Sequence, residues 1–111
     1  MPSRDAKVYL ADILEFCDKL LTYTAHTTFD QFCTQNLEHD GVIHNLVLIG
    51  EAAAKLPDAV KASITDIDWR KIIALRNLLI HEYFGVDDKI VWDVLTTHMP
   101  HLRTAVHKHL G

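Results

Sequence analysis

The sequence predicts a single all-α domain spanning residues 1–111, built as a compact bundle of about five helices. Apolar residues recur at i, i+3 and i+4 along almost the whole chain, which is the spacing of an amphipathic helix. Glycine and proline are sparse, with 4 and 3 copies, and no segment shows the alternation of a strand. Hydrophobic residues make up 49% of the chain, enough for one modest core.

The first two helices are predicted from their apolar stripes. Residues from Asp5 to about Thr22 form the first helix. Its apolar positions are Leu10, Ile13, Leu14, Cys17, Leu20 and Leu21. Thr28 is placed to cap a second helix, whose Phe29, Phe32 and Cys33 share one face.

A third helix ends at Lys55 and begins at about Leu37 or at Val42, since Gly41 can either interrupt the pattern or start it. Gly50 lies inside this helix. We expect it to mark a close approach of a second helix rather than a break.

Single proline, aspartate and glycine residues indicate where the remaining helices begin and end. Pro57 fits the first turn of a short helix that runs to Ala62. Asp66 or Asp68 caps the next helix, which is predicted to stop near Gly85. The last helix begins after residue 87, and Pro100 predicts a kink or break over residues 97–99.

The fourth long helix carries the segment "WRKIIALRNLLIHEYFGVDD", residues 69–88. Its apolar positions cover most of the helix circumference. This pattern predicts a central helix packed on several sides, one of which a second copy of the chain could supply. A buried arginine in such a helix needs a partner, because an unpaired buried charge is costly.

The polar residues of this segment do not share one face. With ~100° per residue, Arg76 and Tyr83 lie on the same side of a regular helix. His81 points roughly 140° away from Arg76, about 7.5 Å along the axis. Either the helix unwinds near His81, or a symmetry-related chain contributes its own copies to one shared cleft. The sequence leaves both solutions open.

These residue types suit one kind of chemistry. Arginine is a permanent forked cation for phosphate, and histidine moves protons near neutral pH. Asn77 can orient a phosphate oxygen, a water or the imidazole. No carboxylate cluster stands beside them, so neither a metal nor another cofactor is required. The set fits RNA cleavage by the ribose 2′-OH. The alternative is structural: Arg76 pairs with Glu51 or Asp12, and His81 merely ends a helix.

The segment "RNLLIHEY" resembles the R-x-x-x-x-H-x-Y signature of the HEPN superfamily. Four stretches are similar, in order, to the HepT toxin family, so the resemblance covers nearly the whole chain. They are "LADILEF", "LIGEAAAKLP", "DWRKIIALRNLLIHEYFGVD" and "VWDVLTTHMPHL".

The resemblance implies a homodimeric, all-helical ribonuclease toxin of a type VII-like toxin–antitoxin system, with its two motifs facing across the dimer cleft. It implies Arg76 and His81 as the catalytic pair and Asn77 in support. Its expected partner is a minimal nucleotidyltransferase (MNT) antitoxin, which silences the toxin by transferring AMP onto the motif tyrosine, here Tyr83. Glu51, in "IGEA", either holds Arg76 or His81 in place or is a solvated helix residue.

Other features narrow the function classes. A net charge of −4 argues against coating nucleic acid by bulk attraction. No run of ~18 apolar residues or signal-peptide pattern is present, so we expect a cytoplasmic protein that does not span a membrane. The two cysteines are predicted to be buried free thiols. His39 and His44 are expected to be ordinary surface groups, and no native metal site is expected. Arg4, Lys7, Arg70 and Lys71 could form a basic rim for RNA, but the favoured interpretation is ordinary surface charge.

The sequence is also compatible with a protein that is not a nuclease. The same fold could be a helical module that binds a nucleotide or a nucleotidyltransferase partner without cleaving RNA.

Overall fold

A computed structural model describes residues 5–82 and 85–111. Within these ranges the chain is helical and contains no strand, which confirms the predicted all-α class. The α-helices are α1 (Ala6–Ala25), α2 (Phe29–Thr34), α3 (Asn36–Lys55), α4 (Asp58–Ser63), α5 (Trp69–His81), α6 (Asp88–Asp93) and α7 (Met99–Leu110). A π-helical turn, Val94–His98, joins α6 to α7.

Side-chain caps explain where four helices begin. The Asp5 carboxylate accepts a hydrogen bond from the backbone N–H of residue 7, which starts α1. Thr28 and Gln31 form a reciprocal capping box at α2, as expected from Thr28. Asp68, one of the two predicted candidates, caps α5, and Asp87 caps α6. Each cap satisfies a backbone donor that the first helical turn leaves unpaired.

The core lies between α1, α3 and α7. Helix α3 packs on α1 along one side and on α5 along another, while α7 packs on α1. The largest fully buried side chains are Phe32, Leu10, Ile13, Leu20, Ile49, Leu79, Leu95, Leu102, Val91, Val106 and Cys17. This arrangement leaves α5 at the edge of the single chain, so the prediction of a central helix packed on several sides is wrong for one copy.

Gly50 sits where α3 meets α5. A Cβ built on Gly50 would collide with Cβ of Arg76 and lie 2.7 Å from its Cγ. The backbone oxygen of Ile72 would be 3.4 Å away. Only glycine permits this approach without displacing α5, which confirms the expected close contact.

The chain deviates from a regular helix ahead of Pro100. Because proline lacks a backbone N–H and crowds the preceding turn, the hydrogen-bond pattern widens into the π-helical turn Val94–His98. The predicted disturbance over residues 97–99 is therefore confirmed, and it begins slightly earlier than expected.

Several expectations need correction. Helix α5 ends at His81 rather than near Gly85. Gly41 lies inside α3 and does not interrupt it. Cys17 is buried as predicted, but Cys33 is exposed. Among the described residues, no helix is both long and apolar enough to cross a membrane.

Candidate active site

Arg76 occupies the face of α5 that meets α3. Its Nη2 lies 3.6 Å from Oε1 of Glu51, and the two side chains are 32% and 40% exposed. Its Nη1 donates a 2.9 Å hydrogen bond to Oδ1 of Asn77. The guanidinium is thus held by a carboxylate on α3 and an amide on its own helix. Since both partners are partly solvated, an incoming anion can still reach it.

Glu51 lies beside Arg76 in the structure. Its carboxylate faces Arg76, the residue that the structural alternative also assigned to it. The two roles are compatible, because a half-exposed ion pair orients a guanidinium without sealing it from solvent. Nε of Arg76 is buried and has no hydrogen-bond partner. The polar contacts of the guanidinium are made by Nη1 to Asn77 and by Nη2 to Glu51.

His81 lies on a different side of α5. Ala74, Asn77, Leu78 and His81 follow i, i+3, i+4, i+7 spacing, and all four are exposed; we call them the outer face of α5. Arg76 instead faces α3. A single chain therefore separates the two predicted catalytic residues, as the ~100° helical geometry requires. Asn77 belongs to the outer face and accepts the hydrogen bond from Arg76.

Two large aliphatic side chains of α5 are exposed, and they lie on different sides of the helix. Leu78, on the outer face, is 43% exposed. Ile80, which is four residues after Arg76 and so lies on the Arg76 side, is 45% exposed. Unwinding does not bring His81 to Arg76, because α5 stays helical through His81.

Tyr83, the predicted modification site, lies outside the described residues, as does Arg4, one of the four candidates for a basic rim. The backbone N–H of Gly85 donates to the carbonyl of Glu82 at 2.9 Å. Lys7, Arg70 and Lys71, the other members of that rim, are exposed.

His39 is a residue that sequence reasoning missed. It was expected to be an ordinary surface group, but its Nε2 donates a 2.7 Å hydrogen bond to Oδ1 of Asp88 on α6. Its ring also stacks on Phe32, with centroids 4.7 Å apart. No local signal reveals this contact, because the partners are 49 positions apart.

Neither cysteine is suited to act as a nucleophile. Burial raises the pKa of Cys17 to about 12. Desolvation, followed by the nearby carboxylates of Asp88 and Asp30, raises the pKa of Cys33. A reactive thiol needs a lowered pKa, so both groups stay protonated at neutral pH.

The histidines and carboxylates of the described residues form no group of three or more that could hold a metal ion. His98 and His101 are three positions apart in the sequence, a spacing that could place two metal ligands on one helix face, and each contacts another group. Nε2 of His98 lies 3.6 Å from a carboxylate oxygen of Asp93, and Nε2 of His101 donates to the backbone carbonyl of Asp66.

The helical bundle and the arginine–histidine motif on α5 define a protein of HEPN type. The "Ribonuclease HepT-like" family model matches residues 13–109, which is nearly the whole chain. The chain belongs to the HepT-like ribonuclease family.

Relatives in archaea agree with this assignment. "Putative RNase MJ0127" of Methanocaldococcus jannaschii is 35% identical over 100 residues, which are 90% of this chain and 83% of that protein. "Putative RNase MJ1216" of the same organism is 32% identical over 97% of this chain and 89% of its own length. "Probable ribonuclease HepT" of Thermococcus cleftensis is 33% identical, covering 95% of this chain and 96% of the relative. No solved structure gave a significant match.

Proposed function

We propose that this chain is an endoribonuclease that cleaves cellular RNA, tRNA or mRNA, without a metal ion. The observation that carries the proposal is the partly exposed Arg76 guanidinium, held by Glu51 and Asn77 on the helix that also presents His81. Family membership and the names of the relatives support it.

The reaction we propose is an internal transesterification. The ribose 2′-oxygen attacks the adjacent phosphorus, its proton passes to a base, and the bond from phosphorus to the 5′-oxygen breaks as that oxygen is protonated. The products carry a 2′,3′-cyclic phosphate and a 5′-hydroxyl. His81 is the residue able to move a proton, as base or acid. Arg76 stabilises the extra negative charge on the phosphoryl oxygens.

We propose that two chains associate through the outer face of α5. This pairing would cover Leu78 and bring His81 and Asn77 of both copies to one cleft. In a two-fold interface, residues of one chain contact residues of the other. His81 of one copy could therefore transfer a proton at a phosphodiester that Arg76 of its partner binds. This arrangement resolves the separation of the two residues along one helix.

Mixing single variants tests the shared cleft. If the two groups act across the interface, Arg76→Ala chains mixed with His81→Ala chains regain a measurable fraction of wild-type cleavage. If both groups act within one chain, the mixture stays inactive. Leu78→Glu, which places charge at the proposed interface, would shift the protein to monomer and remove activity.

We further propose that the protein is the toxin of a toxin–antitoxin pair and is silenced by an MNT antitoxin that transfers AMP to Tyr83. An adenylyl group adds a phosphodiester anion and a purine. Such a group would compete with RNA for the Arg76 cation and fill the cleft. Intact-mass measurement after incubation with the antitoxin and ATP tests this: each AMP adduct should be present on the wild type and absent from Tyr83→Phe.

The nuclease itself is tested with purified chain, total cellular RNA and excess EDTA. Arg76→Ala and His81→Ala should each abolish cleavage while folding is retained. Arg103→Ala is the matched control for the arginine, because Arg103 also pairs with a carboxylate, Asp18, but on the α1–α7 side. His109→Ala, at the end of α7, controls for loss of a histidine. No cleavage by wild type, and no growth arrest on expression without the partner, would favour the non-catalytic module.

A further inference from the structure

Helix α5 is a positively charged segment of an acidic chain. All 15 aspartates and glutamates lie outside it, whereas it carries three of the 11 lysines and arginines, namely Arg70, Lys71 and Arg76. Asp68, which precedes the helix, accepts a 3.3 Å hydrogen bond from the backbone N–H of Lys71. A local cationic strip attracts the phosphates of RNA even though the chain as a whole is negative.

Arg70 lies on the same side of α5 as His81. With ~100° and ~1.5 Å per residue, the two side chains are separated by only roughly 20° around the helix and by about 16 Å along its axis. Asn77 lies between them, also roughly 20° from Arg70. Lys71 is displaced from Arg70 by ~100° and lies on the Leu78 side. Arg70 therefore extends the outer face of α5 toward the start of the helix.

The guanidinium of Arg70 is available to an external anion. Arg70 is exposed, and within residues 5–82 and 85–111 its side chain forms no ion pair or hydrogen bond. Arg76 and Arg103, in contrast, are paired with Glu51 and Asp18. Because arginine can donate two parallel N–H groups to a phosphate, Arg70 can bind one without giving up a contact inside the protein.

Carboxylates follow Arg70 at the start of the helix. Asp66 and Asp68 are exposed and, together with Arg70, line a surface depression on this side of the molecule. Their negative charges repel a phosphodiester. An RNA strand that follows α5 from His81 therefore gains no further phosphate contact beyond Arg70.

We propose that Arg70 binds a phosphate of the RNA strand away from the cleavage site, so that the enzyme acts best on strands that reach this residue. This proposal rests on the nuclease function proposed above. A stacked strand carries one phosphate per ~3.4 Å, so the ~16 Å from His81 to Arg70 corresponds to about five nucleotides. The contact does not involve the reacting atoms and changes KM rather than kcat. It is independent of sequence, because every nucleotide carries the same phosphate.

The first test varies the length of the substrate. Each oligonucleotide has one ribose at the cleavage site and deoxyribose elsewhere, and it is lengthened by single nucleotides on the 5′ side in one series and on the 3′ side in another. In at least one series, wild-type KM should fall about three- to fivefold once the strand reaches Arg70, and then stay constant. Arg70→Ala should lack this step and should match wild type on shorter strands, with an unchanged kcat at every length.

Lys71→Ala is the matched control. It removes one positive charge from the next position, which is also exposed but lies ~100° away around α5. Its KM should follow wild type at every length. Arg70→Lys keeps the charge and should restore part of the fall in KM.

Salt dependence reports on the phosphate contact itself. Binding is measured at several salt concentrations with a long oligonucleotide that has deoxyribose throughout, so that the proposed reaction cannot occur. Loss of one phosphate contact lowers the slope of log K against log salt by about 0.7 for a single strand. We expect this change for Arg70→Ala and not for Lys71→Ala, whereas a purely structural role of Arg70 would leave the slope unchanged.

An unchanged KM for Arg70→Ala at every length would overturn the proposal. So would an equal rise in KM for Lys71→Ala, which indicates attraction to overall charge, or an equal loss on the shortest strand that wild type cleaves, which indicates damage to the fold. If wild type cleaves no RNA of any length, the nuclease function fails and this proposal fails with it. If wild type cleaves and Arg70→Ala matches it throughout, only the additional phosphate contact is lost.

Discussion

Replacing Glu51 by glutamine tests how the guanidinium of Arg76 is shared between the protein and RNA. Glutamine keeps an oxygen that can accept from Nη2 of Arg76 and removes one negative charge. Because a phosphodiester is also negative, the Glu51 carboxylate both neutralises Arg76 and repels the substrate. We therefore expect Glu51→Gln to bind RNA more tightly than the wild type.

The distance and exposure set the size of this effect. At 3.6 Å, two unit charges interact by about 1.2 kcal/mol in water and by about 4.6 kcal/mol at an effective dielectric constant of ~20. Since both side chains are more than 30% exposed, the lower end applies, in line with the ~0.2–1 kcal/mol of exposed pairs. A change of ~0.5–1 kcal/mol corresponds to a KM lower by about two- to fivefold.

The assay is initial-rate RNA cleavage at low ionic strength, where screening is weak. Asp18→Asn is the control, because it changes the net charge equally but removes the carboxylate that pairs with Arg103 between α1 and α7. Its KM should match wild type. A KM for Glu51→Gln that is unchanged or higher would refute the competition between Glu51 and the RNA phosphate.

Three further predictions concern stability and assembly. Gly50→Ala should lower the free energy of unfolding in urea by about 1–3 kcal/mol, because the new Cβ collides with Arg76. Gly41→Ala, whose Cβ would lie in open space, should raise the free energy of unfolding by up to ~1 kcal/mol. Equal effects of the two substitutions would contradict the close approach of α3 and α5 at Gly50. Folding raises the pKa of Cys17 from 9.0 to about 12, so the free energy of unfolding of wild type should fall as the pH rises between these values, by up to ~1.4 kcal/mol per pH unit. Cys17→Ala should lack this contribution to the pH dependence, and parallel curves of stability against pH for the two proteins would contradict the raised pKa. If two chains associate through the outer face of α5 as proposed, wild type should sediment as a dimer and Leu78→Glu as a monomer at the same concentration, and a Leu78→Glu dimer would place the interface elsewhere.

Local signals explain why most helix boundaries could be predicted. Thr28 and Asp68 bond to backbone groups three residues away, so their role can be inferred from a short window of sequence. Pro100 likewise disturbs the turn directly before it. Gly50 could be placed at a helix contact because a glycine inside an apolar helical stripe seldom has another reason to be there.

Longer-range features could be predicted only in part. The apolar pattern of α5 suggested burial on several sides, but α5 packs against α3 and leaves Leu78 and Ile80 exposed. The prediction failed because an apolar pattern does not show whether the residues that bury a helix belong to the same chain or to a second copy. The helical geometry correctly separated Arg76 from His81. The bond between His39 and Asp88 could not be foreseen, since it depends on how α3 and α6 are brought together by the whole bundle.

The chemistry of the RNA ends tests the central claim most directly. A defined oligoribonucleotide is incubated with wild-type chain in EDTA, and the fragments are analysed by mass spectrometry. Cleavage by the 2′-OH, with Arg76 and His81 as the acting groups, predicts a 2′,3′-cyclic phosphate on one fragment and a 5′-hydroxyl on the other, with neither formed by the Arg76→Ala or His81→Ala variant. Fragments ending in 3′-hydroxyl and 5′-phosphate, or the same fragments from those variants, would contradict it.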